Sequence, residues 1–376
     1  MKGRRLKMSN KTSTKREPLI HIIKRETMPW HESTLIRLGS VVAALIVCAI
    51  VTMALTGENP IRVYITMIDG AFGSSRRIWS LLQNLAMLLC VSLAVTPAFK
   101  MRFWNIGAEG QVLIGGLATT ACMILLGNKL PNGLLILTMI VASVLAGAIW
   151  ALIPAIFKAY LNTNETLFTL MMNYVGIQLV AYFARVWENP KGSGTIGIVN
   201  PNTQAGWLPE LGGQKYLINV IVVLAITVFM YIYLKYSKHG YEISVVGESQ
   251  NTARYIGINV KKVIIRTMLL SGAICGIAGL LLVGGTSHTI TTETAGGRGF
   301  TAIMVSWLAK FNPFVMILTA LLLAFLDAGA QQIATDFGLN KSFSDILTGI
   351  ILFFIIGSEF FVNYKIIFNK SHKEVK

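Results

Sequence analysis

The chain has 376 residues, 54% of them hydrophobic and 13% charged, roughly half the charge of an ordinary soluble domain. Apolar runs long enough to cross a bilayer recur along it, which excludes a string of soluble domains. Net charge is +16, yet the basic residues flank those runs as cytoplasmic loops do, and no basic stripe with interleaved aromatics points to nucleic acid.

Residues 1–37 are polar and basic (Lys2, Arg4, Arg5, Lys7) and read as a partly disordered cytoplasmic segment. A membrane domain of 38–363 follows, opening with an uncleaved span at 38–56 that stops at Gly57 and Pro60. Residues 60–77 mix Arg62, Asp69, Arg76 and Arg77 with apolar positions and suit an interfacial helix. Further spans are expected at 78–97, 104–126, 133–157 and 166–185. A long Gly-, Pro- and Asn-rich insertion at 186–214 reads as an extracytoplasmic loop.

The next span is 216–234, followed by a basic cytoplasmic loop at 235–262 and a span at 263–284. After Ser/Thr-rich 285–299 comes an apolar segment, 299–309, too short to cross alone. Spans at 314–331 and 346–363 precede a basic tail, 364–376, with Lys365, Lys370, Lys373 and Lys376. Basic loops on one side and nearly neutral ones on the other orient the set with both termini inside. The expected fold is all-α and polytopic, with about ten membrane segments, some broken by glycine or re-entrant.

Cys48, Cys90, Cys122 and Cys275 are scattered in apolar spans, and five histidines have no ligand spacing, so neither a disulfide framework nor a metal site is expected. No phosphate-cradling loop and no catalytic constellation is present, so the chain is expected to be no enzyme and to need no cofactor. Any ATP hydrolysis would fall to separate polypeptides.

The polar residues inside apolar runs are the candidates for function. In Phe103-Trp-Asn-Ile-Gly-Ala-Glu-Gly-Gln-Val-Leu-Ile-Gly-Gly116, Asn105, Glu109 and Gln111 share fourteen positions with four glycines. On one helix Asn105 and Glu109 would lie i, i+4 and turn a single face inward, either as a packing cluster or as part of a translocation path. Asn173 and Asp327 are further mid-span polar residues. A second glycine-punctuated segment, Gly296-Gly-Arg-Gly-Phe-Thr-Ala-Ile-Met-Val-Ser-Trp307, sits in the later half, and paired broken segments mark the pathway in transporters. Gly272 and Gly276 make a GxxxG match that reads as simple helix packing. In the basic loop, Val245, Val246, Tyr255, Ile256 and Ile258 suggest one short helix between Gly247 and Gly257, offered to a soluble partner or resting on the protein's own underside.

Asn105-Ile-Gly-Ala-Glu-Gly-Gln111 resembles the signature of permease subunits of ABC importers in the ribose/branched-chain-amino-acid group. It is similar above all to the branch serving nucleosides, which works with a lipoprotein of the basic-membrane-protein type. Gly240-Tyr241, Val246-Gly247, Tyr255-Ile-Gly-Ile-Asn-Val260 and Leu270-Ser-Gly-Ala-Ile-Cys-Gly-Ile-Ala-Gly279 resemble the family's coupling-loop region, and Gly299-Phe300, Ala302-Ile303 and Asn312-Pro313 its late motif. The chain departs from the pattern at Ile243-Ser244, at Glu248-Ser249, at Asn251-Thr252 and at Ser306-Trp-Leu-Ala-Lys310.

The resemblance implies a permease in a bacterial cell membrane, forming the path for nucleosides by alternating access. Two ATP-binding subunits, a second permease subunit and an extracytoplasmic substrate-binding lipoprotein would be its partners. Gly247, Glu248, Asn251, Ala253, Tyr255 and Gly257 would contact the ATPase. Asn105, Glu109, Gln111, Asn173 and Asp327 would line or support the path, with Glu109 expected to support it more than touch solute. A sugar or amino-acid permease of the same group, an ion-coupled carrier using Glu109 and Asp327, and a scaffold without transport are the alternatives.

Overall fold

The computed structural model describes residues 20–25, 28–57 and 59–368. The early basic cluster through Arg16 and the tail lysines Lys370, Lys373 and Lys376 lie outside the described residues. The chain divides into two compact units, one holding positions up to Val51 and from Gly349 onward, the other Thr52–Thr348.

In the first unit, β1 (Ile20–Lys24) pairs antiparallel with β2 (Tyr364–Phe368), placing Ile20 opposite Phe368 and Lys24 opposite Tyr364. The Arg25 amide continues the ladder to the Asn363 carbonyl at 2.9 Å. Arg37 Nε donates to Glu359 Oε1 at 2.6 Å, joining α1 (Trp30–Thr56) to α13 (Lys341–Asn363). This corrects two sequence expectations, since a strand and the first turns of α1 occupy positions assigned to a polar lead-in, and β2 replaces the start of the tail. Both strands carry paired isoleucines, which favour extended backbone, but each finds its partner only at the opposite end of the chain.

The second unit holds the inner machinery. Its helices are α2 (Pro60–Phe72), α3 (Ser75–Lys100), α4 (Ala108–Leu126), α5 (Asn132–Leu161), α6 (Glu165–Val186) and α7 (Leu217–Tyr236). Then come α8 (Lys238–Glu248), α9 (Gln250–Tyr255), α10 (Val260–Leu282), α11 (Arg298–Leu308) and α12 (Pro313–Asp336). Among the described residues of the chain, nine helices are long and apolar enough to cross a membrane. The all-α, polytopic expectation is therefore met, the small sheet aside.

α3, α4 and α10 are buried along most of their length and form the core against which α5 and α6 pack. Their polar side chains bond within the bundle, as when Ser92 Oγ donates to the Leu88 carbonyl and Thr96 Oγ1 to that of Ser92. α5, α6 and α7 turn Leu145, Ile149, Met171, Phe229 and Ile232 outward, as lipid-facing helices do. A Cβ at Gly276 would overlap the Ser143 carbonyl, so α5 and α10 touch backbone to backbone there. The GxxxG match is thus a packing motif.

Arg76 and Arg77 are not part of an interfacial helix. They fall in the first turn of α3, where Ser74 Oγ caps the Arg77 amide and Arg77 pairs with Asp69 of α2. α2 itself packs on the far end of α12, Gly70 against Gln332 and Gly329 against Met67. α10 ends in a π-helical turn, Val283–Ser287, followed by an irregular stretch down to α11. At one end of this stretch the His288 carbonyl accepts from the Val199 amide in the loop after α6. At the other, Trp307 meets Phe99 near the end of α3, ring centroids 6.4 Å apart. From His288 to Trp307 the chain therefore traverses the bundle, which makes the short 299–309 segment part of a crossing.

Candidate functional site

The run before α4 is not helical. α3 stops at Lys100, and Arg102 adopts a left-handed φ of 59° before Phe103 bonds back to the Ala98 carbonyl. Asn105 Oδ1 then accepts from the Gly107 amide at 3.1 Å and from Gln111 Nε2 at 3.2 Å, while its Nδ2 donates to Ser271 Oγ on α10. Asn105 and Glu109 therefore do not share a helical face. The Asn105 side chain closes an Asx turn on the Gly107 amide ahead of the helix, so Asn105 reaches α10 and Glu109 reaches elsewhere.

Glu109 lies in the first turn of α4 and is 6% exposed. Its Oε1 accepts from the Gly297 amide and its Oε2 from the Gly299 amide, each at 2.7 Å. Gly297 precedes α11 with φ 73°, and Gly299 lies in that helix's first turn. The carboxylate thus sits between the N-termini of two helices, where orphan amides and helix dipoles both favour a negative charge. A side chain at Gly299 would collide with the Glu109 backbone, so this approach requires glycine.

Asn173 of α6 supports the same break from behind. Its Oδ1 accepts from the Gly110 amide at 2.8 Å and its Nδ2 donates to the Ile106 carbonyl at 2.7 Å, satisfying two backbone groups that the broken helix leaves open. Asn105, Glu109, Gln111 and Asn173 thus come together around one discontinuity. Asp327 lies on α12, where Oδ2 accepts from Gln331 Nε2 at 2.9 Å. It joins the others through a residue the sequence reading passed over, Arg298. The Arg298 guanidinium donates to Asn84 Oδ1 of α3 at 3.1 Å and to the Ala295 carbonyl, and lies in the fields of Glu109 and Asp327. An arginine inside an apolar segment is the signal that marks it in the sequence.

The basic loop forms two helices and not one. Ser249 closes α8 and caps α9 through its side chain, which accepts from the Thr252 amide. Gly247 and Ala253 are buried, Gly247 lying directly on the Lys100 carbonyl where α3 ends. Glu248, Asn251, Tyr255 and Gly257 are exposed, with Tyr255 91% exposed and Ile256 55%. Val246 is buried against the bundle, the second of its two expected placements, resting on the protein's own underside. Burial works to raise the Glu242 carboxyl, but Arg266 of α10, donating at 2.9 Å, outweighs it and holds it below the usual carboxylate value.

Residues 77–356 match the family described as the branched-chain amino acid transport system, permease component. The chain belongs to this permease family. The glucose ABC transporter permease protein TsgB13 of Haloferax volcanii is 29% identical to this permease, over 87% of this chain and 88% of the relative. The nucleoside ABC transporter permease protein NupB of Lactococcus lactis is 28% identical, over 85% and 90%. The guanosine ABC transporter permease protein NupP of Bacillus subtilis is 28% identical, over 81% and 88%. No solved structure matches the permease.

Proposed function

We propose that this permease forms the translocation path for nucleosides in an ATP-driven importer, with hydrolysis on separate ATP-binding subunits. The observation that carries the transport reading is the Glu109 carboxylate bridging the broken starts of α4 and α11. Non-helical backbone inside a bundle is tolerated where protein buries it or a water-filled cavity meets it, and paired broken helices are the pointer to the pathway in transporters. The nucleoside reading rests on the names of two of the relatives above. A sugar is the second reading, favoured by the glucose permease of Haloferax volcanii.

In this reading the loop of α8 and α9 is cytoplasmic and Glu248, Asn251, Tyr255 and Gly257 meet the ATPase. Closure of the ATPase pair moves α8, and Gly247 passes the push to the end of α3 at Lys100. α3 carries it to Asn84, which holds Arg298 at the head of α11. The path opens or shuts as α11 shifts against Glu109. A second permease subunit faces this one, and a lipoprotein on the outer side delivers the solute.

The test is uptake of labelled nucleosides by cells or vesicles holding the assembled complex. Uptake is expected to need a competent ATPase, to persist when the proton gradient is collapsed, and to resist competition by glucose. Uptake that dies with the gradient yet tolerates an inactive ATPase overturns the importer reading. Competition by glucose but not by nucleosides moves the solute to the sugar reading.

A further inference from the structure

We propose that the cavity where α3, α7, α8 and α12 meet is a binding site for the headgroup of an anionic phospholipid. The cavity measures about 390 Å³, and its polar lining comes from Lys100, Tyr231, Lys235, Tyr241, Ser244 and Asn312. Lys100 is the last residue of α3 and Lys235 lies in the last turn of α7, so two ammonium groups converge at the ends of spans. Both donate to neutral partners, Lys100 to the Leu234 carbonyl at 3.5 Å and Lys235 to the Tyr231 hydroxyl at 2.9 Å. Among the described residues no carboxylate lines the cavity. Of the two acids of α8, Glu242 is taken by Arg266 and Glu248, at the helix's far end, is not among the lining residues. Two positive charges are thus gathered beside hydroxyl and amide donors with no anion among the lining residues, which is the chemistry of a phosphate-ester site.

The surroundings choose the source of the phosphate. Tyr231 packs on Phe314 of α12, ring centroids 4.7 Å apart, and an apolar lane continues outward from that pair. Val228 and Leu224 of α7, one and two turns before Tyr231 on its own face, and Phe314 and Leu318 of α12 are all about half exposed or more along it. A phospholipid fills both parts at once, with its phosphate at the lysines and its acyl chains in the lane. A free phosphate, or an acidic surface on a soluble partner, leaves the lane empty. A lipid held there ties the α7–α8 joint to the turn between α11 and α12. Its assignment to the cytoplasmic leaflet rests on the orientation proposed above, whereas the site itself does not.

The experiment is native mass spectrometry of the purified full chain after incubation with phosphatidylglycerol or phosphatidylcholine. Phosphatidylglycerol is expected to remain bound and phosphatidylcholine to be lost. Lys100→Gln with Lys235→Gln should weaken retention about tenfold, and the pair Lys100→Arg with Lys235→Arg should keep it. Lys235 is exposed, so Lys235→Gln alone remains a usable variant if the double one does not fold, with a loss of about threefold expected. Equal retention of the two lipids, or retention unchanged in the variants, overturns the proposal. Displacement of the lipid by inorganic phosphate reassigns the cavity to a soluble anion. Displacement on adding the ATPase subunits, with Lys235 cross-linking to one of their carboxylates, reassigns it to a protein contact. Failure of nucleoside uptake would leave every one of these readouts standing.

Discussion

Glu109 is a buried acid whose two oxygens each accept a backbone amide from a neighbouring helix. Replacing it by glutamine leaves one acceptor and turns an NH2 donor toward a glycine N–H that is itself a donor. A buried, charge-assisted bond is lost and a second donor is left unpaired, at a cost of about 2–3 kcal/mol. Glu109→Gln is therefore expected to lower the thermal unfolding midpoint of the purified chain by several degrees while leaving solute preference unchanged. Altered preference at unchanged stability would mean that the acid touches solute. The importance of Glu109 was visible in the sequence because an acid stood among glycines. Its partners were not, since they lie about 190 positions away and are backbone groups that carry no residue-type signal. Arg298 was missed for a related reason, because its partner Asn84 belongs to a different span.

At the scale of elements, apolar runs placed every long helix among the described residues, because length and hydropathy suffice for that. They failed where helices end. Asn105 fell outside α4 because its side chain closes a turn, and the basic loop broke in two at a capping serine. The loop between α6 and α7 shows what such local chemistry holds. Trp207 stacks flat on His288, ring centroids 3.7 Å apart, and the Val199 and Leu208 amides bond to the His288 and Gly284 carbonyls. Burial pulls the His288 imidazole down to about 4, with the Lys215 ammonium adding to it, and its Nδ1 has no hydrogen-bond partner. With the folded value below the ordinary 6.5, the opened loop binds a proton that the closed loop excludes. The latch is therefore at full strength above pH 6.5 and weakens progressively as pH falls toward 4. Hydrogen exchange at Val199 and Leu208 should quicken across that window, and His288→Phe should flatten the pH dependence while keeping the stack. Exchange that is indifferent to pH in the unaltered chain would show that His288 does not bear the load.

For the whole molecule, the division between buried Gly247 and Ala253 and exposed Glu248, Asn251 and Tyr255 sets where a partner can reach. Cysteines at Glu248 or Asn251 are expected to cross-link to the ATPase subunit, and a cysteine at Ala253 is not. Cross-links from Glu248 to the substrate-binding protein would invert the proposed orientation. The sheet of β1 and β2 bears on orientation in a way that owes nothing to charge. Because Lys24 pairs with Tyr364, the two ends of the described chain emerge on the same side of the membrane. A path that leaves and returns to one side must cross an even number of times. The nine long helices among the described residues are an odd count, so one passage between those two ends has to be made without a full-length helix. The stretch from His288 through α11 supplies it. The short, broken segment beside Glu109 is thus a topological necessity of the closed chain, and lengthening it into a regular span would have no effect on that parity, whereas deleting it would strand one terminus on the wrong side.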